Sequence, residues 1–116
     1  MVTADELVEM KCIHRETGLD DDKITQYLKL VSRWAHADGK IVKTFNFKNY
    51  YETLAFVNAI AYVIHAEDHH PELTVTYNRC VIKFDTHSVN EGKGGVSVND
   101  FICAAKVDAI FAQSFA

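Results

Sequence analysis

The feature that most limits what this chain can fold into is a change of periodicity at its only proline. From Lys48 to about His69, Leu54, Val57, Ala61 and Ile64 recur at helical spacing, and Tyr50, Phe56 and Ile60 widen the apolar stripe. Pro71 restricts the residue before it to extended backbone, which predicts the end of this helix at about His69 or His70. Beyond the proline, Leu73 to Tyr77 and Cys80 to Thr86 are rich in β-branched and aromatic residues around Asn78-Arg79, the pattern of a hairpin. Three of the six histidines, His65, His69 and His70, therefore stand where a long helix hands over to strands, beside Glu67 and Asp68.

The rest of the chain supplies partners for that corner. Thr3-Ala4-Asp5-Glu6 fits a capping box and predicts a short helix through about His14, ending near Gly18. Asp20-Asp21-Asp22 offers a second N-cap, and Ile24, Tyr27, Leu28 and Val31 predict an amphipathic helix over 21–32. Trp34 to Ala37 and Lys40 to Phe47 flank Asp38-Gly39, a two-residue hairpin signal. After a Gly-rich loop over 90–95, Ser97-Val98-Asn99-Asp100 opens a last helix with Phe101, Ala104, Ala105, Ile110 and Phe111 as apolar positions. The order α-β-β-α-β-β-α predicts an α+β fold, a four-stranded antiparallel sheet with helices packed on one face. Its 116 residues make one domain, 1–116, in which 1–19 reads as a variable N-terminal segment.

Charge and cysteine usage exclude several roles. With 16 acidic against 12 basic residues and no local Lys/Arg cluster, the chain lacks the basic face that direct nucleic-acid binding requires. No apolar run approaches membrane-spanning length and the N-terminus lacks a secretory h-region, so a cytoplasmic protein is expected, with no membrane partner. Cys12, Cys80 and Cys103 are widely spaced and predict reduced, mostly buried thiols.

His65 and His69 share a helix face, and His70 and His87 could complete a cluster. Imidazoles there suit acid/base work near neutral pH, but a cation at a helix C-terminus also interacts favourably with the dipole. Neutral imidazoles four apart are also competent zinc ligands, although no cysteine neighbours them and the His-Glu-x-x-His order is missing. Asp100 has a sufficient role as a capping residue, and Trp34 suits a core as well as a ligand platform. Gly92-Lys93-Gly94-Gly95 lacks the ending of a phosphate loop and reads as a turn.

The ordered set His69-His70-Pro71-Glu72, Tyr77-Asn78-Arg79, Thr86-His87 and Gly95-x-Ser97-x-x-Asp100 resembles the pterin-4a-carbinolamine dehydratases. Trp34 before a hairpin, Phe45-x-Phe47-Lys48 and Leu54-Ala55-Phe56 are similar to the same family, and the likeness covers about residues 20–113. The resemblance implies removal of water from a 4a-hydroxytetrahydropterin, giving quinonoid dihydropterin in recycling of the pterin left by an aromatic amino-acid hydroxylase. It implies no cofactor, since the pterin is the substrate, no metal, and a homodimer or homotetramer. It carries over His69, His70 and His87 as the catalytic set, with Trp34, Pro71 and Asp100 at the substrate and His65 and Glu67 as supporting candidates. Where many relatives place Glu four residues before the histidine doublet, this chain has His65, and its 89–95 loop is longer than in the family's shorter members. The competing reading is a non-catalytic dimerising module of the same fold, as some animal members provide to a homeodomain transcription factor; a partner-binding role would not need the three histidines.

Overall fold

The computed structural model describes residues 2–116. Thr3 caps α1 (Ala4–Glu9) through the expected reciprocal pair with Glu6, and Asp20 caps α2 (Asp21–Leu28) by accepting from the Lys23 amide. The strands β1 (Ala35–Ala37) and β2 (Lys40–Asn46) follow, then α3 (Tyr50–Glu67), β3 (Glu72–Val75), β4 (Arg79–Phe84) and α4 (Val98–Ser114). The sheet order is β1-β2-β4-β3 with every pairing antiparallel. The expected α+β architecture is thus present.

Alternation along the two central strands decides which sheet face is covered. Ile41 and Phe45 of β2 and Cys80, Ile82 and Phe84 of β4 all lie at 2 % exposure or less, whereas Val42, Val81 and Lys83 between them stay half-buried. Phe56 of α3 and Phe111 of α4 close on this face, their ring centroids 4.9 and 5.0 Å from that of Phe45. Such pairs contribute roughly 0.5–1.5 kcal/mol each beyond area burial. Tyr27 of α2 stacks on Phe101 of α4 at 5.2 Å, and α1 packs along α4. α4 is therefore the central helix, which explains why the run from Asn99 to Ala105 is buried throughout.

Three helix ends depart from expectation: α2 stops at Leu28, short of residue 32, and two others carry consequences for the site. α1 stops at Glu9, not near His14, because Met10 is extended (φ −76°, ψ 158°) and sends residues 10–19 off as a strap across the molecule. α3 stops at Glu67, where Asp68 adopts the left-handed conformation (φ 48°) and the His69 amide reaches back to the Ile64 carbonyl at 3.4 Å. Pro71 does not itself end the helix; the left-handed cap three residues earlier does. The cap turns the chain so that His69 points inward, away from the exposed helix surface that carries His65.

Candidate active site

His69 is the best-defined side chain of the corner. Its Nε2 lies 2.6 Å from Asp100 Oδ1 and its ring stacks on Phe84, centroids 5.9 Å apart with planes 6° from parallel. Asp100 has no exposed surface and is fixed from three directions. Its Oδ2 accepts from the Ser97 amide at 2.9 Å and from Thr86 Oγ1 at 3.0 Å, and Thr86 and Ser97 share a hydroxyl–hydroxyl bond of 2.7 Å. The capping box of α4 thus doubles as the mount for a histidine, and both readings of Asp100 hold. Burial disfavours the charged imidazole, but the Asp100 hydrogen bond and charge outweigh it and raise the His69 pKa above its ordinary 6.5. His69 Nδ1 has no protein partner among the described residues, so this nitrogen is free to face a ligand.

Around His69 opens a cleft of about 610 Å³. His70, Asp85, Thr86, His87 and Ser88 line it together with Cys12, Ile13, His14 and Arg15 of the strap. His70 and His87 are solvated by comparison with His69: their side chains are 69 % and 88 % exposed, with carboxylates at 3.8 Å (Asp68) and 3.6 Å (Asp85). His14, His69, His70 and His87 therefore share one cleft, His69 mounted on Asp100 and the other three solvated. Among the described residues no three His, Cys, Asp or Glu side chains converge on a point suited to a metal ion.

Other expected site residues lie elsewhere. Trp34 does not line the cleft: it is buried, packs on Phe45 and Phe84, and donates from Nε1 to Asp108 at 3.1 Å. An indole in a core needs a partner for its N–H, and Asp108, also held by Lys43 Nζ at 2.8 Å, supplies it. Burial raises the Asp108 pKa despite the Lys43 and Trp34 hydrogen bonds. Pro71 follows the doublet without lining the cleft, and Asp100 reaches it only through His69. His65 is exposed on α3 and outside the cleft, whereas Glu67, two residues on, does line the cleft and is buried beneath the strap.

Glu67 and Asn99 are what hold the strap. Glu67 accepts from the Cys12 amide at 2.8 Å and from Lys11 at 3.5 Å. Its burial works against ionisation, but these donors and the Lys106 charge lower its pKa overall. Asn99 donates to the Ile13 carbonyl at 2.7 Å and accepts from Arg15 Nε at 3.1 Å. Cys12 to Arg15 and Asn99 were not among the residues expected from the sequence, since nothing periodic marks residues 10–19 and their partners are 55 to 87 positions away. The one available signal was the Asn99-Asp100 pair, whose first member had no assigned task.

The chain is a small α+β protein with a carboxylate-mounted histidine in a cleft that three further histidines line. Comparison identifies it further. The family profile described as Pterin 4 alpha carbinolamine dehydratase matches residues 17–110, and the chain belongs to that family. A relative from Bdellovibrio bacteriovorus assigned as a pterin-4-alpha-carbinolamine dehydratase is 55% identical over 116 residues, all of this chain and 97% of that one. Another from Nitrosospira multiformis, assigned likewise, is 46% identical over 94% of this chain and 96% of its own. The crystal structure of a transcriptional coactivator/pterin dehydratase from Brucella melitensis superposes with a TM-score of 0.74 at 30% identity, over 81% of this chain and 98% of that one. The strap residues Cys12 to Arg15 precede the span of the family profile.

Proposed function

We propose that this chain dehydrates a 4a-hydroxytetrahydropterin to the quinonoid dihydropterin and water, with histidines as general acid and base. The observation that carries this reading is His69, mounted on Asp100 through Nε2 in the wall of the cleft, with no protein partner at Nδ1 among the described residues. Dehydration needs one proton delivered to the departing 4a-hydroxyl and another removed from N5. The Asp100 hydrogen bond and charge raise the His69 pKa and so favour its protonated form, whose Nδ1–H serves as the acid, and the solvated His87 accepts the N5 proton. For a hydroxyl on the opposite ring face the two exchange roles, and His70 positions the pterin. The proton returns from base to acid through water, and no cofactor takes part.

The same reading places the protein in the cytoplasm as a homodimer or homotetramer, recycling pterin for an aromatic amino-acid hydroxylase. General acid/base catalysis contributes about 10² to 10⁴-fold per group. Dehydration of freshly generated carbinolamine, followed by stopped flow, should therefore slow by roughly that factor in His69→Ala and in His87→Ala. Near-normal rates in both variants would overturn the assignment.

A further inference from the structure

The strap and the central helix meet at a pair of sulfurs that the proposed dehydration does not use. Cys12 Sγ lies 3.6 Å from Cys103 Sγ although the residues are 91 positions apart in the chain. Cys12 is partly exposed and lines the cleft, while Cys103 is wholly buried one helical turn beyond Asn99. The pair is also held in register: the Cys12 amide is bound to Glu67, and Cys12 Sγ sits 3.7 Å from the Asn99 carbonyl. The third cysteine serves as an internal contrast, because Cys80 is buried in β4 and burial alone raises its pKa to about 11.

We propose that Cys12 is an oxidation site for hydroperoxides, and that it forms a reversible disulfide with Cys103 which pins the strap across the histidine cleft. The Cys12 thiolate attacks the distal oxygen of the peroxide, the O–O bond breaks, and the alcohol, or water from hydrogen peroxide, departs with a proton. The resulting Cys12 sulfenic acid is then attacked by the Cys103 sulfur. The S–O bond breaks, and hydroxide leaves as water with the Cys103 proton. The two thiols have lost two electrons and the peroxide has gained them. Local chemistry favours Cys12 as the attacking sulfur: its hydrogen bond with Cys103, with the charge of His69, holds its pKa below the ordinary thiol range despite burial. Cys103 is shifted upward by the same hydrogen bond and by burial, which suits the resolving role. A thiol with solvent access beside a resolving thiol in van der Waals contact is the arrangement that stops oxidation at the disulfide.

The test treats the reduced full-length protein with hydrogen peroxide and counts free thiols after denaturation. The expected result is a fall from three to one, with a Cys12–Cys103 bridge in the peptide map and reversal by dithiothreitol. In Cys103→Ser the expected product is a Cys12 sulfenic acid captured by a dione probe. Trypsin cleavage after Lys11 and Arg15 should slow about tenfold in the bridged protein, because local opening of the strap is suppressed. Retention of three thiols, a bridge that includes Cys80, or overoxidised Cys12 without a bridge would overturn the proposal, and unchanged strap cleavage would overturn the pinning. None of these readouts depends on pterin turnover.

Discussion

His69 is governed by two opposed influences, and their balance has a pH signature. Its folded pKa is raised above the unfolded value of about 6.5, so the stabilisation from its pair with Asp100 is complete below that pH and is lost as pH rises through the folded value. The stability advantage of the wild type over His69→Phe, measured by urea denaturation, should shrink as pH rises above about 6.5. An advantage that is flat or grows over this range would mean the pair does not favour the charged imidazole. Trp34 makes the opposite kind of residue-scale point. Its buried position and its bonds to Asp108 predict that Trp34→Phe costs about 2 kcal/mol of stability, from a lost hydrogen bond to a carboxylate, while the KM for pterin stays unchanged. A raised KM with unaltered stability would return Trp34 to the substrate. The sequence could not separate these roles, because a tryptophan beside a hairpin suits a core and a pocket wall equally.

At the scale of elements, the legible parts were those whose signal is local. Capping boxes at Thr3 and Ser97 and the Asp38-Gly39 turn each report on neighbours within a turn or two, and all are present; α3 forms as expected but buries Thr53, Phe56, Ile60 and Val63, leaving Leu54, Val57 and Ile64 half-buried and Ala61 exposed. Helix ends were less legible. The end of α3 depends on Asp68 entering the left-handed region, which an aspartate tolerates without announcing it. Asp68→Gly should therefore stabilise the protein by about 0.5 kcal/mol, seen as a higher midpoint in thermal unfolding. A loss of stability would show that the Asp68 side chain contributes more than its backbone conformation costs. The strap was not legible at all: residues 10–19 carry no period, and their place is set by Glu67 and Asn99 from two other helices.

On the scale of the whole molecule, one helix does two jobs. α4 fills the core with Phe101, Ile102 and Ala105, and at its N-terminus it holds Asp100 under the cleft, so packing fixes the position of the chemistry. The histidine corner of α3, the end of β4 and the cap of α4 are brought together by antiparallel pairing of β3 with β4 and by the helices covering one sheet face. That convergence could be anticipated from the sequence only through the ordered motifs. The distance between His69 and Asp100, 31 positions apart, lies beyond what periodicity can supply. The central claim is that these two residues act as one catalytic unit, and a double-mutant cycle on the dehydration rate tests it most directly. If they do, Asp100→Asn slows the wild type severalfold or more but has almost no further effect in a His69→Ala background. The contrary result is an Asp100→Asn effect of equal size in both backgrounds, which would mean that the aspartate serves the fold alone.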